Sequence, residues 1–167
     1  INVPQGVKIL SAPNNFLVSI ENLPNTLEKI NLEFNFLENI DVSYLKFLEE
    51  LNVNHNQIQE INNLPPSLKE LKCEYNKLEY LNLNNLNDLK TLHVSNNLIT
   101  VIENLPDGVE DFQKENLPSI EFRTSGEPDI KNREENAKRR LKKDFYNDLK
   151  KYFKIKNKYQ KKEKELK

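Results

Sequence analysis

The chain has 167 residues, with 25 Lys/Arg, 26 Asp/Glu, three Gly, a single Cys and neither Met nor Trp. One cysteine excludes an internal disulfide, and no apolar run of about 18 residues is present to span a bilayer. Gly6, Gly108 and Gly126 form no Gly-rich phosphate loop, and His55 and His93 lack metal-ligand spacing, so nucleotide and metal chemistry find no support and no cofactor is expected.

In chain order, Ile1–Gly6 aligns with Glu21–Thr26, so the chain is expected to begin inside a repeat, with earlier repeats or an N-terminal cap missing. Asn15, Asn35, Asn56, Asn76 and Asn97 follow at spacings of 20, 21, 20 and 21 residues. Each sits in one apolar frame, Leu68-x-x-Leu71-x-Cys73-x-x-Asn76-x-Leu78-x-x-Leu81, which recurs over Val7–Ile20, Leu27–Ile40, Leu48–Ile61 and Leu89–Ile102. A unit of about 20 residues cannot bury an apolar face alone and must stack on its neighbours. The centre of each frame reads as a short strand with two inward residues, such as Ile30/Leu32, Leu51/Val53, Leu71/Cys73 and Leu92/Val94. The frame asparagines are read as structural, because an amide that both donates and accepts suits a buried bend.

The returns alternate between two designs. Leu23-Pro24, Leu64-Pro65 and Leu105-Pro106 are expected to be extended or polyproline-like. Asp41–Phe47 and Asn82–Asp88 lack Pro and carry one more residue; Val42/Leu45/Leu48 and Leu83/Leu86/Leu89 predict tight 3₁₀-like turns.

The stretch Asn63–Asn76, NLPPSLKELKCEYN, resembles the LPX-type leucine-rich repeats of secreted bacterial effectors and of giant DNA virus repeat proteins. The Pro-free unit Leu83–Ile102, LNNLNDLKTLHVSNNLITVI, is similar to repeats of phosphatase-regulator and internalin-type proteins. The resemblance implies an α/β repeat solenoid over residues 1–122, curved, with a parallel strand ladder on its concave side and a largely irregular convex side. Effectors of that type that act as ubiquitin ligases carry a separate domain with a catalytic cysteine. Here Cys73 lies inside a repeat, so no such activity is carried over.

The solvent-facing strand positions run through Asn31, Asn52, Lys72 and His93. Fifteen such positions hold six acidic and two basic residues, which favours a basic partner. Beside them Phe34, His55 and Tyr75 fall in one column, a candidate hot spot for a protein partner. A Ser95/His93/Asp111 set can be drawn on paper, but nothing indicates an oxyanion hole or pocket, so neither an enzyme nor a small-molecule substrate is expected.

Residues 1–128 carry 9 Lys/Arg against 19 Asp/Glu, whereas residues 129–167 carry 16 against 7. Val109–Phe122 reads as a decaying last repeat and 123–131 as a linker. Residues 132–167 predict a basic amphipathic helix with a frayed tail, its apolar stripe formed by Leu141, Phe145 and Leu149. That helix is open to four readings: a cap on the solenoid, a contact for a protein partner, a nucleic-acid anchor or an anchor on acidic membrane. A lone cysteine and no Asn-x-Ser/Thr site among 26 Asn predict an intracellular, cytoplasmic setting. The functional expectation is a non-catalytic protein-binding repeat module. The alternatives are an anchor acting through the basic helix, or the regulatory subunit of an enzyme.

Overall fold

The computed structural model describes residues 3–124, all within the first of two compact units, Ile1–Ser125. Among the described residues there are nine three-residue strands: β1 Ile9–Ser11, β2 Lys29–Asn31, β3 Glu50–Asn52, β4 Glu70–Lys72, β5 Tyr80–Asn82, β6 Thr91–His93, β7 Val101–Glu103, β8 Asp111–Gln113 and β9 Glu121–Arg123. Six of them form the main parallel sheet in the order β1-β2-β3-β4-β6-β8. Leu10, Ile30, Leu51, Leu71, Leu92 and Phe112 stand in register across it, one from each turn of a solenoid.

No helix occurs among the described residues, so this part of the chain is a β-solenoid and not the α/β solenoid expected. The segment after the frame asparagine is also more regular than expected. There β5, β7 and β9 form a second parallel ladder in the last turns, with Leu81, Ile102 and Phe122 in register. Equivalent positions in earlier turns, Asn39–Asp41 and Glu60–Asn62, form no strand. Tyr80, Val101, Ile102 and Phe122 favour a pleated surface, whereas Asn39, Asp41 and Asn62 disfavour it. The expected helix at 132–167, with Leu141, Phe145 and Leu149, lies outside the described residues.

Both return designs bury their apolar residues through short turns. In the Pro-free returns the Leu45 N–H donates to Val42 O and the Leu48 N–H to Leu45 O, each at 3.0 Å, so 3₁₀-type bonds recur every third residue. Val42, Leu45 and Leu48 are fully buried. In the Pro returns, Pro24, Pro65 and Pro106 begin a turn: their carbonyls accept from the N–H groups of Leu27, Leu68 and Val109. Proline has no N–H to give but keeps its acceptor, so a single turn replaces the extended return expected.

The frame asparagines join turn to turn. Asn56 Nδ2 donates to Val53 O and Asn54 O of its own turn at 3.1 Å, and to Leu32 O of the preceding turn at 2.9 Å. Its Oδ1 accepts from the Leu37 N–H, also of the preceding turn, at 2.9 Å. Asn35, Asn76 and Asn97 repeat this pattern, reaching back to Ala12, Val53 and Cys73 carbonyls respectively. All four are buried, while Asn15 is exposed and reaches only Ala12 O and Pro13 O. Among the described residues every buried side-chain polar atom has a hydrogen-bond partner.

Removing one ladder amide orphans the buried Leu37 N–H and leaves the Leu32, Val53 and Asn54 carbonyls with one partner each, so Asn56→Ala is expected to cost about 2 kcal/mol. Asn15→Ala, at an exposed site with local bonds only, is expected to be near neutral. Urea midpoints of the two variants, at unchanged slope, check the contrast. Cys73 is fully buried, and desolvation first, then the Glu74 charge, pushes its thiol up to about 12. It is therefore expected to resist thiol reagents at neutral pH until denaturant unfolds the chain, with labelling following the unfolding transition.

Candidate functional site

The backbone corner after each main-sheet strand has a left-handed residue, which immediately precedes the frame asparagine in the first five turns and Leu117 in the sixth. Asn14, Phe34, His55, Tyr75, Asn96 and Asn116 all have φ between 53° and 58°. Their N–H groups continue the ladder beyond the strand: Phe34 N–H donates to Asn54 O, His55 N–H to Glu74 O and Tyr75 N–H to Ser95 O. Asparagine and, to a lesser degree, histidine tolerate this conformation, but for Phe and Tyr it costs on the order of 1 kcal/mol each. Two of the six corners thus carry residues that local preference disfavours.

Phe34, His55 and Tyr75 form a continuous stack. Phe34 and His55 have ring centroids 4.1 Å apart, and His55 and Tyr75 4.2 Å apart, with planes within 13° of parallel. Phe34 and Tyr75 remain 45% and 49% exposed. A second pair, Phe16 and Phe36, stacks at 6.1 Å alongside, with Phe16 87% exposed. Stacking offsets part of the backbone cost, since an aromatic pair contributes about 0.5–1.5 kcal/mol beyond its burial. The expected column is therefore a physical unit, an exposed aromatic strip flanking the main sheet.

On the sheet itself Asn31, Asn52 and Lys72 are half-buried, and their side chains bond along the face. Asn31 and Asn52 Oδ1 accept from the N–H groups of Glu33 and Asn54, each at 3.0 Å, while Lys72 pairs with Glu70 at 2.7 Å. His93 is almost wholly buried, unlike the rest of the expected surface set. Its Nε2 lies 2.7 Å from Asp111 Oδ2 and its Nδ1 3.9 Å from Glu74 Oε2, so carboxylates of the turns on either side enclose the ring. Ser95 is buried too, and its hydroxyl donates to Glu115 Oε2 at 2.5 Å while accepting from the Glu115 N–H. His93 and Ser95 thus engage different carboxylates, and the geometry shows no Ser–His relay. Strand alternation alone places His93 and Ser95 on the solvent side, and the side chains of neighbouring turns cover them.

The last turn is closed by a cation. Lys114 takes an inward frame position yet is exposed, with Nζ 5.0 Å from the Phe112 ring centroid and 5.3 Å from that of Phe122. Among the described residues no cluster of three or more His, Cys, Asp or Glu is placed to hold a metal, and no helix is long and apolar enough to cross a membrane. The chain matches no known protein-family model, and no curated protein matches it significantly.

The carboxylates near His93 carry a pH signature. The hydrogen bond from His93 holds Asp111 below the usual aspartate value, and that from Ser95 holds Glu115 below the usual glutamate value. A lowered folded value gives stability that is present above the ordinary value and lost as pH falls through the folded one. Ser95→Ala is therefore expected to destabilise at neutral pH, with its deficit narrowing once the pH drops below the ordinary glutamate value of 4.5. Thermal melts of both proteins across that range check it.

Proposed function

We propose that this chain is a non-catalytic, leucine-rich-repeat-like interaction module that binds a protein partner across the main-sheet face and the aromatic strip. The observation that supports this most is the Phe34–His55–Tyr75 stack, built on left-handed corners where the same chain elsewhere uses Asn. A requirement of folding alone is met by Asn14, Asn96 and Asn116, so the rings at the other corners need a further reason. Exposed, mutually braced aromatic rings lose little entropy on contact, and such residues dominate interface energetics. Repeat solenoids also use an extended sheet face as their recognition platform.

The chain's own corner residue supplies the test. Phe34→Asn with Tyr75→Asn removes the outer rings while relieving two strained corners, so the melting temperature is expected to change little. Binding through the strip is expected to weaken by about 2 kcal/mol or more per lost anchor. Quantitative pull-downs from nuclease-treated lysate, comparing wild-type and double-variant full chains, should show at least one protein depleted from the variant. Identical capture by a folded variant would overturn the proposal.

A further inference from the structure

The two flanks of the main sheet differ in how their charges are compensated. On the flank before the strands, Lys8 pairs with Glu28, Lys69 with Glu49 and Lys90 with Glu110, at 2.7, 2.7 and 3.3 Å. The first strand column is balanced likewise: Lys29 pairs with Glu50 at 2.6 Å, and Glu70 with Lys72 at 2.7 Å. The flank beside the aromatic strip is not. Glu33, Glu74 and Glu115 stand there in one column with Asn54 and Ser95 between them, and no lysine or arginine pairs with any of the three among the described residues. Their contacts are to Asn52, to Asn54, to Ser95 and, at 3.9 Å, to the His93 ring.

We infer that the strip takes a cationic polypeptide segment, one in which Lys or Arg alternate with apolar side chains, and this inference rests on the protein-binding reading above. The apolar side chains would lie against the edges of Phe34, His55 and Tyr75, while the cations would reach Glu33 and Glu74 one residue away in the chain. The geometry disfavours the other ligands that aromatic rows take. A nucleobase or a sugar stacks on a ring face. Here the inner faces of Phe34 and Tyr75 and both faces of His55 are covered by one another at 4.1 and 4.2 Å. Phosphate is further opposed by three uncompensated carboxylates. Complementary charge on a partner steers encounter and excludes acidic competitors, and it makes binding fall with ionic strength.

The test is a displayed library of random peptides selected against three full-length chains: wild type, Glu33→Gln/Glu74→Gln, and Phe34→Asn/Tyr75→Asn. Both double variants alter exposed or half-buried side chains outside the core, and a thermal melt verifies each fold. Peptides drawn to the basic C-terminal segment are retained by all three chains and subtract out. The expected result is a set of Lys/Arg-and-apolar peptides that bind the wild type. Synthetic copies should bind the glutamine variant on the order of tenfold more weakly, about 1.4 kcal/mol, and lose affinity as salt is raised. Peptides that depend on Phe34 and Tyr75 but are neutral or acidic would overturn the charge inference while leaving the interaction surface standing. A selection identical for all three chains would overturn both.

Discussion

The structure depends on a buried amide, Asn35, Asn56, Asn76 or Asn97, placed at the same corner of four successive turns. Strands of three residues supply few inter-strand bonds, and a turn of 20 or 21 residues has little interior to offer. The ladder asparagines compensate by satisfying the corner of their own turn and bonding the preceding one through both a carbonyl and an N–H. That double reach fixes the period. An amide displaced by one residue would miss the carbonyl above it, so the extra residue of the longer units is accommodated in the Asp41–Phe47 and Asn82–Asp88 returns, away from the ladder. The two return designs are thus interchangeable solutions to one constraint, and each delivers buried leucines to a core shared by neighbouring turns.

The same corner explains the surface. Because each turn must bend through a left-handed residue beside the amide, one column of side chains is thrown outward at a fixed pitch. Asn occupies it where nothing more is asked, and there Asn116 Nδ2 donates to Asn96 Oδ1 at 2.9 Å. Aromatic rings occupy it over three successive turns and brace one another. Local strain and mutual stacking therefore arise from the same register, and the surface feature is inseparable from the device that holds the coil together.

Much of this was legible in the amino-acid sequence, because the ladder asparagines and inward apolar residues recur at a period that only stacking explains. Ile30, Leu51, Leu71 and Leu92 lie in register as the frame requires. The aromatic column was visible too, but not its backbone. Phe, His and Tyr conceal a left-handed position that Asn14, Asn96 and Asn116 betray only once the column is aligned across turns. Burial of His93 and Ser95 was hidden because the covering carboxylates come from residues 18 to 20 positions away. The second ladder was missed for another reason: Tyr80–Asn82 occupies the same frame position as the irregular Asn39–Asp41, and only side-chain preference separates them.

That second ladder makes the solenoid mechanically uneven. The later turns are laced on two sides, with Thr100 N–H to Glu79 O, Glu121 N–H to Thr100 O and Leu83 N–H to Glu103 O adding to the main sheet. The earlier turns lack this second strand ladder and keep only single bonds there, such as Gln59 N–H to Glu38 O at 3.4 Å. In a quasi-one-dimensional array, where each unit holds only its neighbours, opening starts at the weaker end and travels inward. The turns that carry Phe16, Phe34 and Phe36 would then exchange their amide protons soonest, and the aromatic strip spans the boundary between the pliant and the stiff halves of the coil.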